Sequence, residues 1–196
     1  VVAWPAFFPF IAPESPGSAD IAIEAAARKA AIEFCSESGV AEKTLADIAT
    51  VQGQSDYTIV AAEEAVARLL SVRLDGLRLT LLTGAEIDDL PDLEGDAQPW
   101  AATLAGPLSL RLVPSASVAD QKISIRAAMR PTQGATGLDD MVFERYALDI
   151  AAGAVALLEP KRIDAKARFL DAIGRARVAV LRNHSRTGTR SRVNWC

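Results

Sequence analysis

One histidine, two cysteines and two methionines are all that these 196 residues offer as imidazole or sulfur ligands, and aromatic residues make up only 6%. His184 lies in an Arg-rich stretch near the end of the sequence. There it reads as solvated, whereas a histidine-based metal site, a Ser-His-Asp triad or a Cys-His pair needs its histidine held in an ordered pocket. Cys35 falls among apolar residues at helical spacing and reads as an inert buried thiol. Cys196 ends a polar segment, so the two cysteines make a poor bridge and a reducing compartment is the default. No apolar run approaches the roughly 20 residues of a membrane-spanning helix. The stretch from Val1 to Pro13 is apolar but lacks a basic leading region and is broken by Pro5, Pro9 and Pro13, which argues against a signal peptide.

The remaining polar groups do not assemble a reaction centre on paper. Asp88, Asp89, Asp92, Glu94 and Asp96 are crowded together, yet their spacing misses the EF-hand loop and no glycine stands at its turn position. A solvated acidic loop is the reading. Asp139 and Asp140 precede a helical pattern and suit its N-terminus, where a carboxylate caps backbone N–H groups and faces the positive end of the dipole. Gly134 and Gly137 fit neither the Walker nor the dinucleotide-binding spacing. The expectation is a protein that is not an enzyme, with no catalytic residue, metal or cofactor.

What the chain does have is apolar bulk and a divided charge. Half the residues are hydrophobic, enough for a packed core in one domain or one domain with an insertion. The segment 161–196 carries ten basic against two acidic side chains, a net of +8, while the rest carries eleven against 23, a net of −12. Such a split suggests a binding tail, and the acidic remainder counts against a simple nucleic-acid-binding protein.

Ile23, Ala27, Ala30 and Phe34 share one helical face, with Ile21, Ala25, Ile32 and Cys35 beside it, predicting a helix over about 19–37 capped by Ser18. From about 44 the period shortens to two. A β-leaning run over Thr44–Val51 is followed by alternation from Val66 to Leu74 and from Leu77 to Leu81 across Asp75-Gly76, a strong hairpin signal. Leu108, Leu110 and Leu112 line another strand, and Ile123, Ile125, Ala127 and Met129 a further one. After Pro131 the pattern predicts helices over about 138–159, with Val142, Tyr146, Ile150 and Leu157 on a stripe, and over 165–182, with Ala165, Phe169, Ile173, Ala176 and Val180 facing the core. Gly153 and Ala154 would admit a second helix at close range, compensating a glycine inside a helix. The expected fold is α+β: an antiparallel helical bundle (about 19–37, 138–159, 165–182) with a β-rich insertion (about 44–131) and an extended C-terminal arm. An apolar extended N-terminal arm, 1–18, precedes the 19–182 domain, and a basic arm, 183–196, follows it.

Several stretches together resemble the head–tail adaptor (connector) proteins of tailed phages, of the podophage-like type. They are Ala25-Ala26-Ala27-Arg28-Lys29-Ala30-Ala31-Ile32-Glu33-Phe34-Cys35, Trp100, the strands ending at Pro114 and at Arg130-Pro131, and Tyr146-Ala147-Leu148-Asp149-Ile150-Ala151-Ala152-Gly153-Ala154. Leu157-Leu158, Pro160 and Ala165 to Phe169 complete the set, which spans residues 19–182. One departure is Lys161-Arg162-Ile163, where such chains often carry a tryptophan.

The resemblance implies a structural virion protein of the neck, assembled in the host cytoplasm as a homo-dodecameric ring. Its partners would be the portal protein above and a tail, nozzle or stopper protein below, with genomic DNA passing through the ring without sequence-specific binding, and no membrane. Arg182, His184, Arg186, Arg190, Arg192 and Trp195 would form the arm that docks on the portal, since Arg and Trp dominate binding hot spots. Trp4, Phe7, Phe8 and Phe10 are too many aromatics to leave in water and are expected to pack on a neighbouring subunit or a tail protein. The alternatives are another neck component such as a stopper or tail-completion protein, a nucleic-acid-binding regulator reading with 138–182, and, weakest, a small hydrolase or ligand binder.

Overall fold

A computed structural model describes residues 1–88 and 98–188, with backbone alone for Asp88 and residues 184–188. Two compact units emerge: a helical unit made of Val1–Ala41 and the chain from Pro131 onward, and a β unit, Glu42–Arg130.

The helical unit begins with strand β1 (Val2–Ala3), a 3-10 turn (Trp4–Phe7) and the short helix α1 (Phe8–Ile11). Helix α2 (Asp20–Ser38) follows and stops at Gly39, which takes the left-handed conformation (φ 70°) and donates its N–H to the Cys35 carbonyl. That is the usual glycine-terminated end. Ser18 does not cap α2; the cap position belongs to Ala19, without a side-chain bond, and the Ser18 hydroxyl pairs instead with that of the buried Ser15.

The β unit holds strands β2 (Glu42–Thr44), β3 (Ile48–Ala49), β4 (Asp56–Thr58), β5 (Glu64–Leu74), β6 (Leu77–Arg78) and β7 (Thr80–Leu81). The short helix α3 (Gly84–Asp88) precedes β8 (Ala101–Gly106), β9 (Ser109–Val113) and β10 (Lys122–Pro131). One sheet runs β2-β10-β5-β6, with β3 also on β10; a second runs β4-β9-β8-β7. The alternation in β10 buries Ile123, Ile125, Ala127 and Met129 completely or nearly so. Asp75 and Gly76 both take positive φ, 46° and 84°, as a two-residue type I′ turn requires. The hairpin is shorter than expected, however. After Leu79 the chain leaves this sheet, and Thr80 and Leu81 pair in parallel with Ala101 and Ala102 of the other. A bidentate pair, Arg111 to Asp56 at 2.8 and 3.0 Å, ties β9 to β4.

Strand β11 (Gly137–Leu138) returns the chain to the helical unit, where it pairs antiparallel with β1. The Val2 carbonyl occupies the place a side chain at 137 would need, so this ribbon depends on glycine. Helix α4 (Asp140–Leu158) starts at Asp139, whose carboxylate accepts the Met141 N–H at 3.0 Å. Helix α5 (Ile163–Gly188) closes the described chain.

The expected architecture is therefore corrected. Among the described residues the chain is sheet-rich α+β, with eleven strands in three sheets beside five α-helices. It is not an antiparallel helical bundle with a β insertion, and strands occur in the helical unit as well. The C-terminal arm is not extended where it is described, because α5 continues to Gly188. Sequence spacing had shown the three long helices but not the short strands, which are set by backbone pairing rather than by side-chain period.

The helical core is aromatic and tight. Phe34 lies 5.0 Å from Tyr146 and 6.2 Å from Phe169, centroid to centroid. Gly153 and Ala154 are buried on α4, and a Cβ on Gly153 would stand 2.6 Å from the Phe169 ring. Gly153→Ala gains about 1 kcal/mol of helix propensity but must displace a buried ring, and overpacking of this kind costs about 1–3 kcal/mol. A net loss of about 1 kcal/mol, and at most about 2 kcal/mol, is expected in urea unfolding followed by circular dichroism; higher stability would mean that Phe169 yields freely.

Candidate assembly surface

Trp4, Phe7, Phe8 and Phe10, expected to reach a neighbour, fold back on their own chain. Trp4 and Phe7 are fully buried and Phe8 and Phe10 half-buried. The Trp4 indole N–H donates to the Ala135 carbonyl at 2.7 Å, and the Arg28 guanidinium covers its ring. Phe7 meets Phe143 edge-on at 5.0 Å, and Phe10 lies 6.4 Å from the same ring. The prolines do not prevent this. Pro5 and Pro9 stand in the first turn of their short helices, where a missing N–H costs nothing.

Helix α5 is held at its start by charge. The Glu14 carboxylate accepts from Arg162 at 3.0 Å and from Arg168 at 2.8 Å, and Arg162 also binds Asp164. The Arg168 hydrogen bond, followed by Arg162, holds the Glu14 carboxyl below its ordinary value against the opposing effect of burial. Asp164 is lowered chiefly by its hydrogen bond with Arg162. Further along, Arg175 pairs with Asp171 and reaches Asp149 of α4 at 3.6 Å.

Fixed in this way, α5 shows two apolar stripes. Ala165, Phe169, Ala172, Ala176 and Val180 are buried. At about 100° per residue, Ile163, Ala167, Leu170, Gly174, Val178 and Leu181 fall on the opposite face, and all six are exposed, Leu170 by 53%. The spacing of three and four residues is that of a helix seam awaiting a partner. Lys166 and Arg177 flank it on one side; Arg168, Arg175 and Arg182, with Asp164 and Asp171 among them, flank it on the other. Gly174 adds a second indication. Glycine inside a helix costs about 1 kcal/mol against alanine, yet a Cβ at Gly174 would meet nothing within 4 Å among the described residues. A shallow depression of about 560 Å³ runs past it, lined by Asp171, Gly174, Arg175, Val178, Ala179 and Arg182.

Of the expected docking residues, Arg182 lies on this helix at the edge of the depression. His184 and Arg186 lie on helical backbone whose side chains are not described, and Arg190, Arg192 and Trp195 lie outside the described residues. Asp89, Asp92, Glu94 and Asp96 lie outside them too. Among the described residues no group of three or more His, Cys, Asp or Glu could hold a metal ion, and no helix is long and apolar enough to cross a membrane. Cys35 is buried. The exposed stripe was missed in the sequence, although its 163–167–170–174–178–181 spacing was there to be found. It was obscured by Gly174 and by the equally regular core stripe on the same helix.

No protein-family profile matches the chain, and no curated protein does.

The Glu14 pair has a pH consequence. A carboxylate whose pKa is lower in the folded chain contributes stability above its unfolded value and loses it as pH falls through the folded one. Glu14 contributes fully above its ordinary value of about 4.5, and that contribution fades as the solution becomes more acidic. Glu14→Gln is expected to lower stability at neutral pH and to narrow its gap to wild type as pH drops below this value, read from melting temperatures. A gap independent of pH would show that the ionised carboxylate does not hold α5.

Proposed function

We propose that this chain is a structural assembly protein, a head–tail adaptor that forms a ring in the neck of a tailed phage between portal and tail. The observation that carries the reading is the exposed apolar stripe of α5, bordered by basic side chains and leading into the Arg-rich segment. Apolar patches rimmed by charge are the usual mark of a protein-binding face. Its side chains sit on a long helix pinned by packing and ion pairs, which suits a docking element better than a substrate pocket. The resemblance of the sequence to connector proteins supplies the biological setting. The charge split fits it as well: an acidic majority discourages adhesion of passing DNA, while the basic end offers contacts to an acidic partner.

A nucleic-acid-binding role is favoured only by the basic flanks of α5. The apolar row between them is poorly suited to a phosphate backbone, and a DNA complex would weaken steeply with salt.

The test is co-sedimentation with the portal ring from the same genome, comparing the full chain with one ended after Arg182. Stoichiometric binding by the full chain that the shortened chain loses is the expected result, and it would place the docking contacts beyond that residue. Binding by both would keep the adaptor and discard the arm. Binding by neither, alongside a salt-sensitive shift of DNA in a gel, would replace the reading with the regulator.

A further inference from the structure

We infer that the exposed stripe of α5 is the contact surface for a second copy of this chain, which presents the outer face of α4 to it. The inference deepens the assembly reading above and rests on it for its setting. The receiving face is marked by Met141 and Leu148, exposed by 60% and 71%. They lie seven residues apart, two turns along one side of α4, with the exposed carboxylate of Glu144 and the guanidinium of Arg145 bordering them. Neither Glu144 nor Arg145 makes an ion pair among the described residues.

Charge selects this occupant over the simplest alternative, two α5 stripes facing each other. The side chains from Ile163 to Asn183 include five basic and two acidic groups, and a symmetric pairing would bring like-charged flanks together across the seam. Like charge opposed at an interface is a strong discriminator against the wrong partner. The α4 face does not repeat that excess, since its exposed border is one carboxylate, Glu144, and one guanidinium, Arg145, while Asp140 and Asp149 are engaged within the chain by the Val1 amino group and by Arg175. Because both flanks of the α5 stripe hold basic side chains, Glu144 meets one of them whichever way the helices run. The orientation that sets Glu144 against Lys166 and Arg177 brings Arg145 to the flank that holds Asp164 and Asp171, whereas the reverse orientation would set Arg145 against Lys166 and Arg177.

Shape agrees with charge. Ala167 and Gly174 alternate with Leu170 and Val178 along the stripe, leaving shallow sites at a spacing of seven that matches the Met141–Leu148 spacing. Knobs seven residues apart entering such sites is how helices interlock. Gly174, which no contact among the described residues requires, lets the second backbone approach. A contact between two different faces of one chain is heterologous and propagates from copy to copy, giving a closed ring or an open filament rather than a dimer.

Sedimentation velocity on the full chain tests this with two variants. One carries Leu170→Glu and Val178→Glu, the other Glu144→Lys and Leu148→Lys. Wild type is expected to associate beyond dimer at concentrations up to about 100 micromolar, a range in which a weak seam is well populated. Each variant alone is expected to be monomeric, with affinity weakened by about a hundredfold or more. Mixed in equal amounts they are expected to form dimers and nothing larger, because each keeps one intact face. Monomeric wild type throughout that range, an α4 variant that assembles like wild type, or a mixture that stays monomeric would each overturn the proposal. Gly174→Leu guards against misfolding of the glutamate variants: it should raise helix stability yet abolish association, and association retained would also overturn the proposal. A monomeric wild type that still binds the portal ring would remove this contact while leaving the adaptor reading in place; an oligomer that ignores the portal would do the reverse.

Discussion

The ring of Phe169 occupies the space that a side chain at position 153 would need, and much of the helical unit is arranged around that contact. Helix α4 can approach α5 this closely only because Gly153 is bare, and Phe34 of α2 lies tilted against the same ring, 6.2 Å from it. Three helices thus share one aromatic cluster instead of a broad leucine interface. The N-terminal turn adds a second cluster through Phe7, Phe10 and Phe143. The two clusters act at different places along α4, so α4 is the element against which the rest of the unit is positioned. The direction in which α5 turns its outer stripe is a consequence of where Phe169 is seated.

Electrostatics then fix what packing leaves loose. Glu14 lies in the turn between α1 and α2 and holds Arg162 and Arg168 at the start of α5. These side chains are partly exposed, and a single exposed ion pair contributes little. A shared carboxylate with two guanidinium partners and Asp164 alongside forms a small network, which constrains the helix more than separate pairs. The outcome is a helix with a buried face, an ordered base and an apolar outer face, a combination expected of a part that mates with something.

The long elements were legible in the sequence because their side chains keep one period over many turns. Ile23, Ala27, Ala30 and Phe34 mark α2, and Ile123 to Met129 mark β10, with the expected and observed limits close. The Asp75-Gly76 turn was legible for a different reason, since few residues tolerate positive φ. Three things were not legible. Strands of two residues, such as β1, β3, β7 and β11, carry no period and exist by pairing with a distant strand. The prolines of the N-terminal segment look like helix breakers in the sequence, but position within a helix decides whether a proline breaks it, and Pro5 and Pro9 are at starts. The end of α5 lacks apolar periodicity beyond Leu181 and looks like an arm in the sequence, yet helix already formed on a packed stretch propagates at little cost. The candidate surface was half legible: its basic flanks showed as a charge imbalance, while its apolar stripe was masked by the core stripe of the same helix.

A directed cross-link tests most directly whether one face of α5 and one face of α4 from different copies meet. In a chain with Cys196→Ser, the pair Leu170→Cys and Leu148→Cys would be oxidised and separated under non-reducing conditions. A ladder of covalent multimers is expected when both cysteines are on each chain, and no such ladder with either one alone. No cross-linked product from the double variant, or a dimer formed as readily by Leu170→Cys alone, would contradict it.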